Sequence, residues 1–237
     1  MLPDLAMNAL DNPIWAALTT EQKYLAQISH LARRFPAEVT PLAGFAEPTE
    51  EAYASLLDLV RPEETVALFL REPPKSSDAW SVKLTPLLQM VHTGGTAIDG
   101  ESKNPISSQQ ELIKLGAADS PEMLALAQLT KPGPFGTRTH ELGEYFGIRL
   151  HGALVAMAGE RLHFTGHTEV SAVCTHPDHL GRGYAGVLVA KVASRIQERG
   201  EVPILHVRAD NTRAIGVYER LGFKPRLEYH VVVLKRK

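Results

Sequence analysis

The stretch EVSAVCTHPDHLGRGYA, residues 169–185, constrains this chain more than any other. Val170, Ala172 and Cys174 alternate with Ser171, Val173 and Thr175, a run of small and apolar side chains that predicts a strand buried on both faces. His176-Pro177-Asp178-His179 stops it, because proline has no N–H to give a ladder and restricts the residue before it. Leu180-Gly181-Arg182-Gly183-Tyr184-Ala185 then leads into a segment of helical period, with Ala185, Val189, Val192 and Ile196 on its apolar face. The order is strand, glycine-containing turn, helix. A helix N-terminus presents unpaired N–H groups and a partial positive charge, and glycines at 181 and 183 let the backbone approach a ligand closely. The stretch predicts a seat for a phosphate or pyrophosphate group.

The residues after 196 fit such a seat. Gly200 and Pro203 end the helix in the expected sequence of signals. Residues 204–208 read as a strand, Asp210-Asn211 as a turn, and Asn211 as the N-cap of a helix over 212–221. Gly222 stands where a helix-terminating glycine would, and 229–234 reads as a last strand. The final third is strand–helix–strand–helix–strand with one anion-binding turn.

The run 180–185, together with LHVRADNTRAIGVYERLGF, resembles the GNAT acyltransferases, most closely their FR47-like branch. The first motif is similar to that family's Gln/Arg-x-x-Gly-x-Gly/Ala pyrophosphate loop. Asn211, Ala214 and the run Tyr-Glu-Arg-Leu-Gly-Phe at 218–223 are similar to its next helix. Leu180 departs from the pattern, standing where the family usually has Gln or Arg; a cradle of backbone amides does not need that side chain. The resemblance covers roughly residues 120–237, and two motifs in the correct order make it specific.

The resemblance implies an α+β fold with a mixed, mostly antiparallel sheet flanked by helices. It implies acetyl-CoA as acyl donor and a primary amine of a small molecule or peptide as acceptor, joined by direct attack in a ternary complex. The coenzyme would contact Val173, Cys174 and Thr175 along the strand, Leu180, Gly181, Arg182, Gly183, Tyr184 and Ala185 round the pyrophosphate, and Asn211. Tyr218 would protonate the departing thiolate, although Ala214, Tyr218 and Leu221 also share a helical face that suits a core. Glu169 is the first candidate for general base, with Glu141, Glu144 or a water relay as alternatives. A catalytically silent module that binds acyl-CoA is the rival from another class, and a homodimer is left open.

Other patterns in the same stretch lead elsewhere. Gly181-Arg182-Gly183-Tyr184-Ala185-Gly186 is a literal dinucleotide fingerprint, with Asp210 as its ribose-binding acid. Against it, a whole loop separates the strand from the first glycine, and Arg182 puts a long side chain into the turn. Only 27 residues come after Asp210, too few for the rest of a doubly wound sheet. Cys174, His176 and Asp178 suggest thiol catalysis, but alternate positions on a strand and its exit do not bring three side chains into triad order. Cys174 reads as a core residue. His163 and His167 lack a third ligand, so no metal is expected.

Upstream, Asp11-Asn12-Pro13 starts a helix, and Trp15, Leu18, Tyr24, Leu25, Ile28 and Leu31 extend amphipathic helical spacing. Residues 35–45 read as loop, 49–59 as helix, and 65–70 and 87–91 as strands. The polar stretch 98–110 is taken as a boundary, dividing residues 1–115, a helix-rich and degenerate GNAT-like region, from a catalytic domain at 116–237. A helix begins at Asp119-Ser120-Pro121. Residues 134–143 look mobile, with a short helix at 139–142, and strands at 145–150 and 153–158 are joined by His151-Gly152.

Composition sets the remaining limits. The formal charge of −2 argues against nucleic acid as the main partner. No apolar run approaches the ~20 residues that span a bilayer. The single cysteine rules out an internal disulfide framework and suits a reducing cytoplasm.

Overall fold

Asn12-Pro13 does begin a helix. In the computed structural model, which describes residues 8–72, 74, 78–94 and 110–237, α1 is Pro13–Thr19 with proline in its first turn. It is short because the Thr19 and Thr20 hydroxyls turn back onto the carbonyls of Trp15 and Ala16. The helical spacing predicted through Leu31 therefore fails. Residues 27–45 instead form a small antiparallel sheet of β1 (Gln27–Ser29), β2 (Ala32–Arg34) and β3 (Ala43–Phe45), and Ile28 and Leu31 are exposed.

The remaining elements are α2 (Glu50–Leu57), β4 (Thr65–Leu70), β5 (Trp80–His92), β6 (Gln110–Leu115), α3 (Ser120–Thr130), β7 (Tyr145–Leu150), β8 (Ala153–Phe164), β9 (His167–Thr175), α4 (Tyr184–Glu198), β10 (Val202–Arg208), α5 (Thr212–Arg220) and β11 (Phe223–Arg236). Strands β4 to β11 form one sheet in the order β4-β11-β5-β10-β9-β8-β7-β6. Of its described pairs only β9 and β10 run parallel; the others are antiparallel. This is the mixed, mostly antiparallel α+β sheet expected.

Two strands from before residue 115 belong to that sheet. β5 lies between β10 and β11, and β4 covers the outer edge of β11. β5 starts seven residues earlier than the predicted 87–91. Pro86 and the exposed run 81–84 hide it in sequence, because there it pairs with β11 alone. β6 was not expected at all, and it pairs with β7 along its whole length. The rest of the polar stretch 98–110 lies outside the described residues.

Helices cover both faces of the sheet. On one face α4 and α5 pack on Phe146, Ile148, Ala156, Val170, Leu205 and Phe223, with Leu188, Val189, Val192 and Ile196 inward along α4. On the other, α3 covers Tyr145, Met157 and Cys174, while α1 and residues 35–42 cover Phe69, Phe164, Ile204 and Tyr229. The glycine-rich segment before β7 is tied down: Arg138 N–H donates to the Glu38 carbonyl, and the Thr139 hydroxyl to that of Val39. No helix among the described residues is long and apolar enough to cross a membrane.

Candidate functional site

The parallel pair β9–β10 parts halfway. Its register runs from Val202 opposite His167 to Leu205 opposite Val170 and goes no further. Beyond that point β10 continues only against β5, and β9 only against β8. The cause is local. Met157 faces Cys174 while Gly159 faces Ser171, so β9 carries an extra residue, and Ala172 sits at φ +52°. Such a bulge bends its strand, and a left-handed conformation costs a non-glycine residue about 1–2 kcal/mol. The bend leaves the edge of residues 173–175 that faces β10 without a strand partner among the described residues.

The predicted turn comes next. His176 Nδ1 accepts from the Asp178 N–H across a single 3-10 turn, Pro177–His179. Gly181 and Gly183 both sit at φ +79°, where glycine is strain-free. Gly183 is the N-cap of α4, and no described side chain caps that helix or puts an acid in its first turn. Such a helix end is open to an anion.

Between the parted strands, this helix end and α5 lies an open cleft of about 840 Å³. All ten residues predicted to contact the coenzyme, 173–175, 180–185 and 211, line it, as does Tyr218. Asn211 Oδ1 also accepts from the Ala214 N–H, as an N-cap does. Tyr218 is 9% exposed, and burial pushes its hydroxyl up to about 12. Burial likewise pushes the Cys174 thiol up to about 11, so it stays protonated. Together with the engagement of His176 by Asp178, this removes the thiol triad.

Sequence reasoning missed Arg213 and Arg220, which line the cleft from α5. Their spacing of seven puts the two on one helix face, but not on the face of Asn211, Ala214 and Tyr218 that the motif follows, so the motif gave no signal for them. With Arg182 they give the wall three guanidinium groups and, among the described residues, no carboxylate, in a chain whose acids outnumber Lys and Arg by 27 to 25. The wall fits a ligand bearing several phosphates.

Glu169 requires a correction. It does not line the cleft, and its carboxylate is fully buried. Arg161 binds it through Nε at 2.8 Å and a terminal nitrogen at 2.6 Å, and His206 Nδ1 lies at 2.7 Å. The neighbours fix the tautomer. Gln89 Oε1 accepts from Arg226, so Gln89 Nε2 donates to His206 Nε2, and Nδ1–H points at Glu169. Burial pushes the carboxyl up, but Arg161 and His206 outweigh it and bring it down to about 2. A group so held is a poor base. Glu141 pairs with Arg138, and Glu144 with Lys114 and Arg195; neither lines the cleft.

The depressed value gives a test. The stability Glu169 contributes is fully present above its unfolded pKa near 4.5 and is lost as pH falls toward 2. Acid unfolding followed by circular dichroism should show this component in the native protein. Glu169→Gln should be less stable at neutral pH and lack it. Parallel acid curves for the two proteins would contradict the assignment.

A family model described as FR47-like protein matches residues 145–232. A GNAT-family protein of Novosphingobium aromaticivorans DSM 12444 is 36% identical and superposes with a TM-score of 0.85. That match covers 97% of this chain and 99% of that one. A GCN5-related N-acetyltransferase of Kribbella flavida, 16% identical with a TM-score of 0.61, covers 95% of this chain and 93% of its own and shares the fold. An acetyltransferase of Yersinia pestis (strain Pestoides F) is 41% identical over 51 residues, 21% of this chain. This chain spans only 36% of the length of that relative.

Proposed function

The chain belongs to the GNAT family of acetyltransferases, and we propose that it moves an acetyl group from acetyl-CoA to a primary amine by direct attack in a ternary complex. The observation that carries this reading is the parting of β9 from β10 directly above an uncapped, glycine-led helix N-terminus. The parted edge offers amides to an extended chain such as a pantetheine arm, as a strand offers them to a neighbour. The helix end and the three arginines suit its phosphates.

Acetyl-CoA supplies the activated acyl carbon. The residues of this chain bind, orient and donate. Amides of residues 173–175 hold the pantetheine arm, and one near Cys174 donates to the thioester oxygen as it gains charge. Gly181 and Gly183 admit the pyrophosphate. Tyr218, whose proton burial retains, donates it to the departing sulfur. The amine attacks in its neutral form, and its proton leaves through water, because no described carboxylate lines the cleft.

Acetyl-CoA, and not NAD, should raise the melting temperature. At a hundredfold excess over Kd, binding adds about 2.7 kcal/mol. For a chain of this length that is about 5–10 °C. Stabilisation by NAD alone would sink the acetyltransferase reading. Binding of acetyl-CoA with no thiol released on a broad amine panel would leave a silent acyl-CoA-binding module.

A further inference from the structure

The arginines of the cleft wall have no acid to neutralise them. Among the described residues no carboxylate pairs with Arg182, Arg213 or Arg220, although all three line the cleft. Asp210, the acid just before α5, is taken by Arg208 through two nitrogens. Arg220 alone has an ordinary explanation, because a cation suits the last turn of a helix. Arg213 has none. It stands in the first turn of α5, where the helix dipole opposes a cation, and no acid shares that turn.

The two α5 side chains converge. Seven residues separate them, about 10.5 Å along the helix axis. Helical side chains lean toward the N-terminus, and Arg220 does so: a Cβ at Gly216 would lie 3.6 Å from one of its terminal nitrogens. Gly216 is only three residues from Arg213, about 4.5 Å along the axis. A glycine there leaves the surface between the two arginines bare, at a position where it weakens the helix. Both arginines are exposed and form the rim of the cleft, whereas Tyr218 of the same helix is buried in its depth.

A coenzyme whose thioester reaches Tyr218 leaves its nucleotide end at that rim. Each phosphorus of its pyrophosphate keeps a single ionised oxygen, and Gly181, Gly183, the α4 helix end and Arg182 answer those charges. The remaining phosphate is a monoester on the ribose, which carries about −1.5 to −2. The cations left to meet it are Arg213 and Arg220. We propose that Arg213 and Arg220 together hold the ribose 3′-phosphate of the donor, so that the chain discriminates acetyl-CoA from the same thioester lacking that phosphate. This rests on the coenzyme-binding reading above. A guanidinium offers paired N–H donors, and two of them can share the terminal oxygens of one monoester.

The test is titration calorimetry with acetyl-CoA and with acetyl-dephospho-CoA, on the native protein and on the double variant Arg213→Ala, Arg220→Ala. The native protein should bind acetyl-CoA about 10–100-fold more tightly, the worth of hydrogen bonds to a charged group. The double variant should bind both thioesters alike, with its affinity for acetyl-dephospho-CoA unchanged. Both residues are exposed, so its circular dichroism spectrum should match that of the native protein. Equal affinities in the native protein would overturn the proposal while leaving the coenzyme reading intact. A preference that survives in the variant would overturn it too, because other groups would then hold the phosphate. A variant that loses affinity for both thioesters equally would do the same, since the arginines would supply only a general field. A native protein that binds neither thioester would overturn the coenzyme reading, and this proposal with it.

Discussion

Gly183→Glu is expected to abolish acetyl-CoA binding while leaving a folded protein. Gly183 is the exposed N-cap of α4 at φ +79°. A side chain there costs about 1–2 kcal/mol of conformational strain, small against the roughly 5–15 kcal/mol by which domains are usually stable. The new carboxylate also lies favourably against the helix dipole, which offsets part of that strain. The same carboxylate would occupy the end of the helix that otherwise receives pyrophosphate, and would repel it. The acetyl-CoA-dependent rise in Tm should vanish, with a circular dichroism spectrum like that of the native protein. Retained affinity in a folded variant would mean that the ligand lies elsewhere.

That residue illustrates which parts of the molecule were legible in sequence. The turn 180–185, α4 and α5 were read correctly because each is specified locally. Glycines supply positive φ, Asn211 caps α5 through its own side chain, and one apolar stripe faces the sheet. Glu169 was misread because its partners are remote. Arg161 lies eight residues away across a hairpin, and His206 thirty-seven away on the parallel strand. No spacing rule announces such a triplet. From sequence, a glutamate in an apolar run looks like a functional carboxylate as readily as a buried, fully bonded one.

The same distinction explains the errors in the first half of the chain. β5 could not be bounded, because its outer stretch pairs on one side only and lacks the alternation of a half-buried strand. Its place between β10 and β11 is a contact across more than a hundred residues. Ile28 and Leu31 kept a helical interval by coincidence, since both are exposed in a short hairpin. The bulge at Ala172 was invisible for a different reason: alanine gives no signal for positive φ. Its cause lies in the mismatch between β9 and β8, a property of the pair rather than of either strand.

Tyr218→Phe should separate chemistry from packing at the other end of the cleft. The ring is buried and meets Phe223 edge-on, with centroids 6.3 Å apart, and phenylalanine keeps that packing. If the residue only fills the core, the substitution removes at most one hydrogen bond, about 0.5–1.5 kcal/mol of stability. A proton donor predicts another pattern. Burial holds the hydroxyl at about 12, so it is protonated throughout the working pH range. It is worth most when negative charge gathers on the departing sulfur. Turnover should then fall by on the order of 10²–10⁴, while acetyl-CoA affinity hardly moves, because the interaction strengthens only toward the transition state. Thiol release measured with hydroxylamine and acetyl-CoA, beside a separate coenzyme titration, reads both quantities. If the variant releases thiol at the native rate, Tyr218 is a core residue and sulfur takes its proton from water.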